Sequence, residues 1–441
     1  MIKTQEKFRD KRILIWGYGR EGKSTERFLW EYCAPDAVDV YEGARDGVRD
    51  DLYDYVFVSP GIKFEEDAPA FDNAKFTSQT EVFLEEYGPQ TIGITGTKGK
   101  STTCALLHTV LSACSRRSSF LMGNIGKPCF DYLAQMNDES IAVFELSCHQ
   151  CQRLQAAPHA AVFLNLYGDH LDRYLSMEHY FEAKCGITRG QGPEDFLLLG
   201  QQVPEIETKA QVVRVLPGNE RFELRIPGEH NQYNAEFVYE IAVMLYGCDG
   251  EAVRRAMATF SGLPHRLQHV GCYAGVDYYD DSISTIPQAT IQAVTSVPHV
   301  KTVLVGGMDR GVDYTVLEEF IREHQELNFI LAYASGKRIL EEMKGSAGAR
   351  TDGNSAGGAS AGGGGTESAA EEIPADPCLQ ESGICPNAVW VEDLAAQVKK
   401  AREITSAGSA VVMSNAAASY GYFKDFEERG DMFQRLVRGA Q

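Results

Sequence analysis

Apolar residues along this chain fall in short runs that alternate with longer stretches of mixed polarity. RILIWG from Arg12, AVDVYE from Ala37 and DYVFVSPG from Asp54 are such runs, and the segment around Ser24 to Tyr32 between the first two has helical spacing. Strand-like runs alternating with helical ones predict βαβ units and a parallel sheet. The alternation then restarts twice. TIGITG at Thr91 opens a second series with IAVFELS, AAVFLNL and DFLLLG, and a third holds VDYYDDS, KTVLVGG, NFILAYA and SAVVMSN. A Gly-Pro turn in EEYGPQ and the segment SGLPHR mark the joints. The expected fold is α/β in three domains, 1–90, 91–262 and 263–441, with boundaries good to about four residues.

One segment cannot contribute to any core. From Gly345 to Glu372 the chain is almost entirely Gly, Ala, Ser and Thr, a composition with too little apolar surface to offset the entropy of ordering. It predicts a disordered surface insertion in the third domain, with low-complexity or irregular sequence over 345–387.

Bulk properties narrow the function. At 441 residues the chain exceeds the size at which one core keeps growing. Its net charge of -20 argues against a nucleic-acid partner, because phosphate backbones are bound by clustered Lys and Arg. The charged start and the lack of an apolar run near membrane-span length predict no signal peptide and no membrane partner. Eleven cysteines, an odd number, fit reduced thiols and a cytoplasmic location. Cys148 and Cys151 form a C-x-x-C, but no second such pair completes a zinc site, so ordinary thiols are the expected reading.

Two stretches share G-x-x-G-K-S-T, at Gly19–Thr25 and Gly96–Thr102. In the second, a strand-like run, a Gly-rich turn and a helical pattern follow one another. Such a turn presents backbone N–H groups to phosphates, while Lys100 supplies charge to the outer phosphates and Ser101 a hydroxyl for magnesium. The strict phosphate-loop spacing would place its first glycine at Ile94, so this is a shorter variant anchored by Gly96. Glu145 and Ser147 end one strand-like run, and Asp169, His170 and Asp172 follow another. Strand ends in a parallel sheet converge on one crevice, and a hard carboxylate such as Glu145 suits Mg²⁺.

The first stretch overlaps a different pattern. GYGREG, Gly17 to Gly22, is a G-x-G-x-x-G after a strand-like run, with Glu42 twenty residues beyond its last glycine. Alone, that is a dinucleotide fingerprint and raises an NAD-dependent oxidoreductase as a rival. A phosphate loop with acidic metal ligands has no task in hydride transfer, which counts against it.

TGTKGKST, ELSxxQ, LNLxxDHLDRY, the pair Ala183–Lys184, GxHNxxN (Gly228 to Asn234) and GLPHR (Gly262 to Arg266) occur in the order found in the Mur ligases, and the chain resembles that family outside the low-complexity segment. The resemblance implies a Rossmann-like N-terminal domain, a P-loop ATPase-like central domain and a Rossmann-like C-terminal domain. It implies an ATP- and Mg²⁺-dependent ligase of peptidoglycan precursor synthesis acting through an acyl phosphate, and a monomer. Gly96, Thr97, Lys98, Gly99, Lys100, Ser101 and Thr102 would then hold the ATP phosphates, with Asn231, Asn234, Arg266 and Asp281 on the nucleotide. Ser101, Glu145, His170 and Lys184, the last as a carbamate, would bind magnesium. Lys100, Glu145, His170 and Lys184 would be the catalytic set.

VSPGI, Val58 to Ile62, is similar to a motif of the member that adds glutamate to UDP-N-acetylmuramoyl-L-alanine. On that resemblance Gly19, Arg20, Glu21, Gly22, Glu42, Ser59, Pro60 and Gly61 would receive the UDP portion, and Asn124, Ser147 and Gln150 the muramoyl portion. GGMDRGVDY and the closing MSNAAASYGYFKDFEERGDMF resemble the same member, and imply glutamate contacts at Thr285, Arg310, Ser419, Tyr420 and Phe426. One position departs: where the family pattern N-D-S-K-A-T has lysine, DDSIST has Ile283. An isoleucine cannot bind a carboxylate, so the implied D-glutamate stands beside L-glutamate as the alternative, with Arg310 left to grip the carboxylate.

Overall fold

The computed structural model describes residues 2–62, 75–168, 171–174, 176–351 and 386–439, without the side chains of 2, 3, 171, 172 and 345–351. Three sheets organise them. The first has the order β2-β1-β3-β4, formed by β1 (Arg12–Trp16), β2 (Ala37–Tyr41), β3 (Tyr55–Val58) and β4 (Phe76–Thr77), all parallel. The second comprises β5 (Thr91–Thr95), β6 (Ser119–Gly123), β7 (Ile141–Glu145), β8 (Ala160–Phe163), β9 (Phe196–Gly200) and β10 (Gln211–Val215), in the order β10-β9-β8-β5-β7-β6. The third comprises β11 (Gln268–Tyr273), β12 (Val276–Asp281), β13 (Val300–Gly306), β14 (Asn328–Ala332), β15 (Ala388–Val391) and β16 (Ala410–Ser414), in the order β11-β12-β16-β13-β14-β15.

The chain divides into two compact units, Met1–Arg225 with Glu229–Phe260, and Ile226–Gly228 with Ser261–Gln441. The first two sheets share the first unit because one apolar cluster runs between them. Phe57 of β3 and Phe28 of the first sheet's helix meet Phe130, while Phe83 of helix Gln79–Tyr87 meets Phe144 of β7. The expected EEYGPQ joint is therefore built as the end of that helix and a short turn, Gly88–Gln90, running straight into β5.

Register decides what lies at the strand ends. β5 is flanked by β7 and β8, with Ile94 opposite Glu145 and Thr95 opposite Phe163. The turn after β5 thus lies beside Glu145 on one side and Asn165 on the other. In the second unit, Asp281 at the end of β12 lies opposite Ser414 at the end of β16.

Four expectations need correction. The first helix runs Arg20–Phe28 and begins before Ser24, because its buried face is Gly22, Ser24 and Thr25 until Phe28; small residues give no apolar periodicity. The third sheet is not wholly parallel, since β11 and β12 form an antiparallel hairpin. Ala274 and Gly275 turn it with φ of 52° and 79°, the left-handed pair that matches strand twist. Helix Tyr333–Thr351 enters the segment expected to be disordered, good helix formers such as Ala and Arg extending it at one hydrogen bond per residue. Asn387, placed at the end of that segment, is buried and donates to the carbonyls of Ile321 and His324 at 2.9 Å each. Residues 352–385 lie outside the described residues.

Candidate functional site

The turn after β5 is a cradle. Gly96 and Gly99 have φ of 148° and 85°, and helix Lys100–Cys114 starts directly after Gly99. Its first N–H groups lack intrahelical acceptors and face outward from the helix start. The Asn165 carboxamide fixes the turn: Oδ1 accepts from the N–H of Thr97 at 3.1 Å and of Lys98 at 2.9 Å, and Nδ2 donates to the Lys98 carbonyl at 2.9 Å. Sequence reasoning passed over Asn165. Its signal was a polar residue two positions after the buried strand β8, which neighbours β5.

Lysines converge on the same turn. Lys100 Nζ donates to the carbonyls of Gly96 at 3.0 Å and Thr97 at 2.9 Å, and Lys184 Nζ donates to Gly96 at 2.8 Å. Lys184 is only 1% exposed and its ammonium sits 4.5 Å from the Tyr180 ring centroid, one helical turn earlier. Tyr180, which sequence reasoning also missed, donates to Thr97 Oγ1 at 3.4 Å. Across the strand end, Glu145 is buried, with Oε1 accepting from Asn124 Nδ2 at 3.0 Å and Oε2 lacking any partner. A buried carboxylate oxygen left unpaired costs free energy unless something positive meets it. A divalent cation would meet that need, with the Glu145 carboxylate and the Ser101 hydroxyl as candidate hard oxygen donors. His170 and Asp169 lie outside the described residues, as does the side chain of Asp172; no cluster of three His, Cys, Asp or Glu side chains suited to a metal occurs among the described residues.

A cleft of about 330 Å³ opens beside these groups, lined by Pro60, Lys100, Asn124, Ser147, Tyr180 and Lys184 among others. Pro60 and Gly61, which follow β3, face Lys100 of the β5 turn across it. Asn231 and Asn234, on helix Glu229–Glu240, are buried and bonded to each other at 3.3 Å, and Asn234 lies against Gly99.

The first turn is held from below. Gly17 has φ of 93°, and its carbonyl accepts from Ser59 Oγ at 2.7 Å. Gly19 caps helix Arg20–Phe28, with Lys23 N–H on its carbonyl at 3.1 Å. Arg20 donates to the carbonyl of Gly126. Glu21 accepts from Gln150 Nε2 at 2.8 Å, and burial pushes its carboxyl up to about 7. Gln150 in turn accepts from the Ser147 N–H at 2.9 Å within a capping box. Glu21, Ser147 and Gln150 are thus one connected cluster, whereas Glu42 is exposed just beyond β2.

In the second unit, Asp281 is buried, accepts from Ser414 Oγ at 2.7 Å and from Leu267 N–H at 3.1 Å, and burial pushes it up to about 6. Arg266 precedes Leu267 in the same turn. Thr285, Arg310 and Tyr420 are exposed, Ser419 is buried and Phe426 begins the last helix, Phe426–Arg438. Ile283 is half-buried, its N–H on the His265 carbonyl at 3.1 Å. Behind these loops lies a group that sequence reasoning did not single out: Arg429, fully buried, donates to Ser282 and to the Ala417 carbonyl.

Known proteins share this organisation. A family model described as the Mur ligase middle domain matches residues 94–216. The chain is 31% identical to the UDP-N-acetylmuramoylalanine–D-glutamate ligase of Aquifex aeolicus, over 97% of the chain and 98% of that protein. It is 30% identical to the UDP-N-acetylmuramoyl-L-alanine–L-glutamate ligase of Xanthomonas campestris, over 97% of the chain and 95% of that protein. The crystal structure of MurF ligase from Thermotoga maritima in complex with ADP is similar in fold, with a TM-score of 0.53 and 15% identity over 99% of this chain and 97% of that one.

Proposed function

The chain belongs to the Mur ligase family, and from that premise we propose that it is the ATP-dependent ligase joining D-glutamate to UDP-N-acetylmuramoyl-L-alanine in peptidoglycan precursor synthesis. The reading rests most on one observation: two lysines on the Gly96 carbonyl beside the unpaired oxygen of Glu145. With family membership and this site in view, the nicotinamide rival has no support.

The substrate carboxylate takes the γ-phosphoryl group of ATP, giving an acyl phosphate, and the amine of glutamate then displaces phosphate. Lys100 and the N–H groups of Gly96–Thr102 carry the phosphate charge, so preorganised electrostatics supply most of the rate. Ser101, Glu145, His170 and a carbamate on Lys184 would hold Mg²⁺, which when bound would help neutralise phosphate charge. A carbamate changes Lys184 from cation to anion, which removes the clash of two ammonium groups on one carbonyl. Asn231, Asn234, Arg266 and Asp281 hold the rest of the nucleotide.

Residues 1–90 receive the UDP portion at Gly19–Gly22, Glu42 and Ser59–Gly61, with Asn124, Ser147 and Gln150 on the muramoyl side. Residues 91–262 carry ATP, and 263–441 carry glutamate at Thr285, Arg310, Ser419, Tyr420 and Phe426. No helix among the described residues is long and apolar enough to cross a membrane. We read the chain as a cytoplasmic monomer, the oligomeric state being testable by light scattering of the purified chain.

A second reading has its own observation. Ile283 leaves Arg310 as the carboxylate-binding cation of the loops, and an L-glutamate ligase is 30% identical to this chain. Phosphate release measured with ATP, Mg²⁺ and UDP-N-acetylmuramoyl-L-alanine, with D- or L-glutamate added separately, decides between them. Turnover with L-glutamate alone replaces the D-glutamate reading; turnover with neither, alongside tight NAD binding in a titration, overturns the ligase.

A further inference from the structure

One cysteine lines the cleft, and a second is buried behind it in the same helical turn. Cys148 lines the cleft together with Lys100, Ser147 and His149. Its Sγ lies 3.0 Å from His149 Nδ1, which is also 3.2 Å from the hydroxyl of Tyr174. Cys151 closes the same single helical turn, Cys148–Cys151, and is fully buried. Residues three apart on a helix share a face, and their Cα atoms fall within the range of about 4.4–6.8 Å that a disulfide spans. Burial pushes the Cys151 thiol up to about 12, against the opposing charge of Lys184. Both are free thiols.

We propose that Cys148 and Cys151 are a peroxide-sensitive dithiol that closes into a disulfide and switches the cleft off. The cleft-facing sulfur reacts first. Cys148 Sγ attacks one peroxide oxygen, the O–O bond breaks, and water leaves a sulfenic acid. Cys151 Sγ then attacks that sulfur while its thiol proton passes to the departing hydroxyl, so that the S–O bond breaks and a second water leaves as the S–S bond forms. The two thiols lose two electrons to the peroxide, and a small dithiol reverses the step by exchange.

The consequence for the site is geometric. Bringing Cys148 Sγ toward Cys151 takes it from His149 and distorts the turn that Ser147 caps. Ser147 Oγ accepts from Gln150 N–H at 3.3 Å, and the Gln150 carboxamide holds Glu21 of the first anion turn at 2.8 Å. A bond formed inside one helical turn thereby reaches both the cleft and the diphosphate turn.

The test uses the full reduced chain, hydrogen peroxide, and two readouts: phosphate release and peptide mapping by mass spectrometry. Oxidised wild type should contain a Cys148–Cys151 linked peptide lighter by two hydrogens and lose about fivefold or more of its rate, restored by dithiothreitol. Cys151→Ala should instead yield a Cys148 sulfenic acid trapped by dimedone. Cys148→Ala, compared with its own untreated rate, should show no dithiothreitol-recoverable loss. The proposal fails if both thiols of oxidised wild type remain open to alkylation after denaturation, or if Cys148→Ala loses rate recoverably as wild type does. It also fails if the bond forms without changing the rate. It rests on the ligase reading only for the rate: an untreated enzyme that releases no phosphate defeats that reading, whereas the mapping stands independently of it.

Discussion

The Lys184 ammonium donates to the Gly96 carbonyl at 2.8 Å, the same oxygen that accepts from Lys100 at 3.0 Å. Two like charges on one acceptor disfavour each other, more so for a side chain only 1% exposed. Reversing the sign of Lys184 relieves this. Lys184→Ala should therefore lower phosphate release by about a hundredfold or more, with acetate or formate restoring part of it. Full activity of the alanine variant removes Lys184 from the catalytic set, and complete loss with no rescue by any short carboxylate removes the carbamate.

Gly99 caps helix Lys100–Cys114 with φ of 85°, and a Cβ there would lie 2.7 Å from Asn234 Oδ1. Gly99→Ala combines left-handed strain of about 1–2 kcal/mol with a collision that moves Asn234. Thermal unfolding should come at lower temperature and ATP should bind more weakly in titration calorimetry. An unchanged ATP affinity would show that Asn234 does not help shape the nucleotide site.

How much of this was legible before the structure depends on what kind of signal each feature leaves. The β5 turn was readable because Gly, Lys, Ser and Thr coincide there, and buried strands such as FLLLG announce themselves by continuous apolarity. The helix start at Arg20 was not, since Gly22, Ser24 and Thr25 bury a face without apolar periodicity. The short strands β4, β6, β10, β11 and β15 were missed where exposure leaves mixed polarity, as in QVVRV. Asn165 and Arg429 act through distant backbone groups, and such pairings have no local sequence pattern.

Glu21 makes the first unit sensitive to pH. Its folded value of about 7 lies above the ordinary 4.5, because burial favours the neutral acid despite the Gln150 bond. The stability it contributes is therefore full below 4.5 and lost as pH rises through about 7. Glu21→Gln, which stays neutral, should melt at a higher temperature than wild type at alkaline pH, and the gap should shrink as pH falls towards the ordinary carboxylate range. A gap that is constant across pH would mean that Glu21 does not titrate with folding.

Arg429 joins the two loops expected to receive glutamate. It is fully buried, with Nε on Ser282 Oγ at 3.0 Å, Nη2 on the Ser282 carbonyl at 2.8 Å, and both Nη atoms on the Ala417 carbonyl at 3.1 Å. None of these partners is a carboxylate, and burial pulls the guanidinium down to about 10. Ser282 directly precedes Ile283, and Ala417 lies just before Ser419, so the fork sets the spacing of the two loops. A lysine has one nitrogen and cannot span both. Arg429→Lys should destabilise the second unit by roughly 2–4 kcal/mol, from lost hydrogen bonds and acceptors left unpaired. It should also raise the KM for glutamate by a larger factor than that for ATP if the displaced loops carry the proposed amino-acid contacts. Lower stability with both KM values unchanged would make Arg429 a structural tie that does not position the amino acid.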